Sequence, residues 1–448
     1  MIKPIDRKGL LVILLFAVAL WLRIYRVEIL TSSSGDERLW LMAGVSLLEK
    51  GVPTAWTIEW PQHRWDKYWE AKNGVVTPWL DHPPLFALLV GGWASLMRVD
   101  SIEITNQAVL RFPMVAISIL TIFVTWSLAK QIFNEQAAIF VLAVYTFFPT
   151  DLVASRFILA EHTVPLLLML GLLVWLRVLK EKDEKKRKPW VVILSVVCFM
   201  APLMKLIGVI VPMTIVMLAV MHRRYHIAYR LMMVNISSLG LYLLYAWFYG
   251  WEIFVGAQTA HMQRPQSFSH FWSFFTQLSA GNVYVTDPTM IIGWAGLCMI
   301  FVGTRQRRIR NLFFAPLLSI SFFFVYVASV ENYDWYKYPI YPLMAIGAGW
   351  IFYRIYKGDY WYLFFFLPLL AQMMQNSALI LDQANRRFLM VLLYGVATLP
   401  VLLRKRLWFR QVFIFLLLLL FGWEVVWYLH MIGSACWLSD CFPVQFRV

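Results

Sequence analysis

Apolar residues run along this chain in blocks of about 17 to 22, each long enough to cross a hydrocarbon core roughly 30 Å thick as an α-helix. Short polar and basic loops separate the blocks. The blocks are continuously apolar rather than alternating on a two-residue period, which excludes an outer-membrane barrel and predicts a helical bundle. Thirteen crossings are predicted, over approximate spans 9–24, 111–130, 137–153, 161–179, 190–204, 206–221, 231–250, 289–303, 311–330, 338–356, 360–376, 387–403 and 409–430. The run from Pro83 to Met97 is left out of the count. Were it to cross, every later loop would change sides and the basic loops would face outward, so it is read as a re-entrant or surface-lying helix.

Composition agrees with this reading: 60% of the 448 residues are hydrophobic and 15% charged, with a mean hydropathy of +0.65. A net charge of +15 would suggest nucleic acid in a soluble protein. Here more than half of the 40 Lys and Arg fall at the N-terminus, after Lys130, and in the loops Lys180–Lys188, His222–Arg230, Arg305–Arg310, Arg354–Lys357 and Arg404–Arg410. Loops of that kind set topology, so they are placed in the cytoplasm and nucleic acid is excluded as a partner. Lys3, Arg7 and Lys8 precede the first apolar run with no small-residue cleavage site after it, which predicts an uncleaved anchor starting in the cytoplasm. The expected organisation is all-α and polytopic: one membrane domain over 1–448, no separate soluble domain, and a first outer loop at 25–98 carrying amphipathic juxtamembrane helices. Cys436 and Cys441 share the outer C-terminal tail, as a disulfide or as two free thiols. With no C-x-x-C, no metal-finger spacing and no glycine-rich phosphate loop, nucleotide-driven pumping has no support.

One pair of crossings is unusually short. Trp190 to Met221 holds 32 residues between two basic flanks, whereas two full spans need about 40. The turn with Pro202, Lys205 and Gly208 should therefore stop below the outer surface, where irregular backbone is tolerated only beside protein or water. Lys205 is expected to face a cavity.

Other polar groups gather at the same side. Ser34-Gly35-Asp36-Glu37 has the form of a capping box before a helix over Arg38–Lys50 that Gly51 stops. Asp81-His82-Pro83-Pro84 puts a carboxylate and an imidazole before a proline-initiated helix, whose free N–H groups attract anions. Arg111, Arg156, Glu161, Lys205 and the run Glu331–Lys337 reach this face from other helices. Each alone reads as an interfacial side chain. Together they place four or more cations and three carboxylates around one outer cavity.

In order and topology, Gly35-Asp36-Glu37-Arg38, His82-Pro83-Pro84-Leu85, Arg111-Phe112-Pro113 and Arg156 with Glu161 resemble the GT-C fold glycosyltransferases of the protein O-mannosyltransferase and aminoarabinose-transferase type. Trp335-Tyr336-Lys337-Tyr338-Pro339 with Tyr341-Pro342 is similar to the aromatic-proline segment those enzymes carry before a late helix. The resemblance covers nearly the whole chain. His82-Pro83-Pro84 is closer to the mannosyltransferase form than to the K-P-P of the aminoarabinose type, while 251–288 is too short for the mannosyltransferases' lectin-like insertion. The acceptor, whether lipid, glycan or protein, stays open.

The resemblance implies inverting transfer of a sugar from a polyprenyl-phosphate donor to an acceptor outside the cell membrane. Such a displacement needs one carboxylate to take the acceptor proton, a role that falls to Asp36 with Glu37 beside it. The departing phosphate needs positive charge, for which His82, Arg156, Lys205 and Arg111 are the candidates. Arg38, Asp81, Glu161, Tyr336, Lys337 and Tyr338 would position substrates, and a divalent metal could bridge carboxylate and phosphate. The competing readings are an O-antigen ligase or oligosaccharide transferase using a pyrophosphate-linked glycan, and a lipid or solute transporter. Paired halves with matching interruptions, the sign of many transporters, are not seen.

Overall fold

The computed structural model describes residues 6–28, 35–56, 75–99, 107–263, 289–327, 334–365 and 406–433, with single positions between 368 and 395. The protein is an all-α polytopic membrane protein. Among the described residues six helical stretches are long and apolar enough to cross a membrane: Gln107–Ile132, Ala160–Lys180, Glu184–Met204, Tyr225–Met262, Arg307–Val325 and Trp408–Val426. The two expected spans 360–376 and 387–403 lie mostly outside the described residues, as do Cys436 and Cys441.

Local signals set the helix limits. Helix α1 (Arg7–Ile24) starts where the Asp6 side chain accepts from Gly9 N, and its only buried charge is Arg23, in the last turn. Helix α2 (Gly35–Lys50) ends before Gly51, whose φ is +70°. It differs from an amphipathic surface helix in being enclosed along its middle, with Leu39 to Val45 all buried. A two-residue ladder of β1 (Ala55–Trp56) with β2 (Val75–Val76) follows. Helix α3 (Leu85–Leu96) has 12 residues, about 18 Å of rise. It lies against α2 so closely that a Cβ on Gly44 would sit 1.9 Å from Ala87 O, and one on Gly91 2.4 Å from Gly44 C.

Helix α4 (Gln107–Ile132) is followed by α5 (Glu135–Phe147), capped by the Asn134 side chain on Ala137 N. Pro149 starts the short helix α6 (Pro149–Ala154) at once, so the chain bends at Phe148. A 3₁₀ turn over Ala160–His162 then leads into α7 (Thr163–Lys180). Helices α8 (Glu184–Met204) and α9 (Ile210–Met221) form the short hairpin. Helix α10 (Tyr225–Met262) runs past the expected end at 250 because the break at Gly250 (φ 154°) redirects the helix without stopping it. The remaining helices are α11 (Thr289–Gly303), α12 (Arg307–Val327), α13 (Tyr341–Lys357) and α14 (Arg406–Gly433).

The hairpin turn carries the site. Pro202 lies in the last turn of α8, Lys205 takes an extended conformation (φ −157°, ψ 145°), and a 3₁₀ turn over Leu206–Val209 enters α9. Gly208 N donates to Lys205 O at 2.8 Å and folds back onto α8, where a Cβ would lie 2.0 Å from Ala201 O. Gly208→Ala is therefore expected to lower stability by about 1–3 kcal/mol through overpacking. Thermal melting of the purified protein measures this, and an unchanged melting temperature would show that the turn yields freely.

Candidate functional site

At one end of the bundle the chain buries charge, much of it in named pairs. Glu37, in the first turn of α2, takes Arg111 Nε on Oε1 at 2.9 Å and Arg111 Nη2 on Oε2 at 2.8 Å. Its Oε1 also accepts from Ile158 N at 3.0 Å, in the loop after α6. Arg111 Nη1 donates to Val27 O at 2.7 Å. One carboxylate thus joins α2, α4 and the 155–162 loop, and the arginine ties them to the segment after α1. All three guanidinium nitrogens of Arg111 and both carboxylate oxygens of Glu37 are engaged by protein. Asp36 lies in the same helical turn, and its side chain is outside the described residues.

Arg156 is fully buried and its Nη2 donates to Leu22 O, near the end of α1. Sequence reasoning missed Arg23, one residue on. Its Nη2 binds Asp151 Oδ2 at 2.6 Å, its Nε donates to Ser118 Oγ at 2.7 Å, and further contacts go to the carbonyls of Ala19, Tyr145 and Thr146. A single arginine ending an apolar run reads in sequence as a topology signal, and nothing there links it to Asp151. Tyr336, Lys337 and Tyr338 lie on a 3₁₀ turn over Asp334–Ile340, with Lys337 buried and Tyr338 stacked on His162 at 4.2 Å between ring centroids. Glu331 lies outside the described residues. Arg38 is half-buried on α2.

The chemically distinctive group is Lys205. Its Nζ stands 3.1 Å from Glu161 Oε1 and 3.0 Å from His82 Nε2, and 4.9 Å over the ring of Trp40. The ring of His82 is stacked between Trp40 (5.0 Å) and His261 (5.7 Å), with Trp79 against its edge. The loop that presents it is fixed by Gln258 Nε2 donating to Asp81 O and by the Tyr242 hydroxyl donating to Leu80 O. Enclosure in this stack holds the His82 imidazole well below its ordinary range; the Lys205 ammonium and His261 push it the same way, and the Asp81 backbone opposes them. His82 is therefore neutral at pH 7, with its Nε2 lone pair turned to the ammonium. Among the described residues no three His, Cys, Asp or Glu side chains come together as metal ligands.

Comparison with known proteins bears on this arrangement. Residues 81–249, from the His82 loop through the Lys205 hairpin to the Gly250 break, match the family model for dolichyl-phosphate-mannose-protein mannosyltransferases. No curated protein matches at the sequence level. In structure the chain is similar to ArnT from Cupriavidus metallidurans, at 18% identity over 95% of this chain and 76% of ArnT in the apo state, with a TM-score of 0.62. Against ArnT bound to undecaprenyl phosphate the TM-score is 0.64, over 96% of this chain and 78% of ArnT at 18% identity. The chain has the GT-C fold. A more distant GT-C likeness is to the oligosaccharyltransferase of Archaeoglobus fulgidus, at 13% identity and a TM-score of 0.54 over 81% of this chain and 51% of that one.

The neutral state of His82 gives a pH prediction. Its folded pKa is depressed below the ordinary value of 6.5, so its contribution to stability is present above that pH and is lost as pH falls below it. One such group changes stability by at most about 1.4 kcal/mol per pH unit. Melting measured from pH 7.5 down to 5.5 should fall more steeply in the wild type than in His82→Gln, which keeps an acceptor for Lys205 without titrating. Parallel curves would remove His82 as the source.

Proposed function

We propose that this protein is an integral-membrane inverting glycosyltransferase that moves a sugar from a polyprenyl-phosphate carrier to an acceptor at the outer face of the cell membrane, with its N-terminus in the cytoplasm. The carrying observation is the ammonium of Lys205, set on the turn between α8 and α9 and bonded to Glu161 and His82. Within a membrane bundle an ammonium is costly, and a lipid phosphate would answer its charge.

Each residue then has a task. Asp36 takes the proton of the acceptor hydroxyl as it attacks the anomeric carbon. Lys205 faces the phosphate that leaves and stabilises its growing charge, and Arg156 is a further cation for it. His82, neutral, accepts a Lys205 N–H and holds the ammonium in place without adding positive charge of its own. A divalent cation held by Asp36 would supply further positive charge to the leaving phosphate. Arg111 and Glu37 fix the turn that carries Asp36, and residues 1–448 act as one membrane domain.

The test is transfer from labelled polyprenyl-phosphate monosaccharides, scored as release of the lipid phosphate. Asp36→Asn should cut turnover at least about a hundredfold with the fold intact. Lys205→Met should weaken donor binding, and Lys205→Arg should keep part of it, since charge survives although geometry changes. Near-normal turnover in Asp36→Asn together with unchanged donor affinity in Lys205→Met would overturn the proposal.

A further inference from the structure

Among the described residues, the 3₁₀ turn before α7 buries two acceptors that no donor serves. Glu161 is 1% exposed; its Oε1 binds Lys205, while its Oε2 has no hydrogen-bond partner. The next residue, His162, is 6% exposed and its Nε2 has none either. The other ring nitrogen of His162 is bonded to the backbone of Ala154 and carries the proton, so Nε2 is a bare lone pair. Buried polar atoms are nearly always paired, and an orphaned carboxylate oxygen is among the more expensive exceptions. Two such atoms on consecutive residues, both acceptors, call for a ligand rich in donors. Water would serve such atoms, and so would the hydroxyl groups of a sugar.

Position decides which ligand. Oε2 belongs to the same carboxylate that holds Lys205. A hydroxyl on Oε2 is therefore separated from the ammonium by one carboxyl group and two hydrogen bonds, a separation comparable to that between a phosphate and the hydroxyls of the ring attached to it. On the reading of Lys205 as the phosphate ligand, on which this step rests, we infer that Glu161 and His162 recognise hydroxyl groups of the sugar on the lipid phosphate and set which sugar is accepted. Glu161 is then a specificity-determining residue as well as the counter-ion of Lys205. A site built around a buried acceptor rejects an analogue that lacks the matching donor far more strongly than an apolar pocket rejects a missing methylene.

Competition binding tests this on the purified full chain. A panel of polyprenyl-phosphate hexoses and pentoses identifies the tightest donor, and versions of it lacking one ring hydroxyl at a time are competed against it. In the wild type, loss of one particular hydroxyl should weaken binding at least about a hundredfold. Glu161→Gln, which keeps its size and can hold Lys205 through the amide oxygen, should shrink that penalty about tenfold or more. His162→Phe, which keeps the stack on Tyr338 and removes Nε2, should shrink the penalty at one position independently of Lys205. Because each comparison is a ratio within one variant, a general loss of phosphate affinity cancels. Deoxy donors that all bind as the parent does, or a penalty unchanged in both variants, would overturn the inference and leave the glycosyltransferase reading standing. Failure of every polyprenyl-phosphate sugar to bind would overturn both.

Discussion

An ammonium cannot stay charged inside a membrane bundle unless something answers it, and this constraint organises the site around Lys205. The chain meets it with a carboxylate from the turn before α7, a neutral imidazole from the loop before α3 and the face of an indole from α2. Three segments far apart in sequence are brought to one nitrogen. The same need explains why His82 is enclosed in an aromatic stack: protonated, it would face Lys205 with like charge.

A second constraint holds that arrangement in place. Arginines converge on the end of α1: Arg156 donates to Leu22 O, Arg23 binds Asp151, and Arg111 reaches Val27 O while gripping Glu37. The last carbonyls of a helix are the negative end of its dipole and lack partners of their own, so cations there answer two needs together. Breaking a buried pair of this kind typically costs about 3–5 kcal/mol, because the survivor keeps its charge without compensation. These pairs fix the turn of α2 that carries Asp36, the bend at Pro149, and the loop leading to Glu161, and the site inherits its geometry from them.

The fold was legible where a one-dimensional signal exists. Apolar runs located the long helices, and the shortfall of residues in 190–221 located the Lys205 turn. The enclosure of α2 was not legible, because it depends on a glycine-to-glycine crossing between Gly44 and Gly91 that neither stretch shows alone. In the site, residue types were readable and pairings were not. Nothing in the sequence pairs Arg111 with Glu37, 74 positions away, or Arg23 with Asp151, 128 positions away. His162 carried no signal at all; its significance is a missing hydrogen bond, which only coordinates reveal.

The central claim is that Lys205 is the seat of the donor phosphate. It is tested most directly by a structure of the protein with a polyprenyl phosphate bound at neutral pH. The account predicts the phosphate within hydrogen-bonding distance of Lys205 Nζ, about 3 Å, with the prenyl chain leaving sideways between helices. A phosphate seated elsewhere, with Lys205 still bonded to both Glu161 and His82, would contradict it.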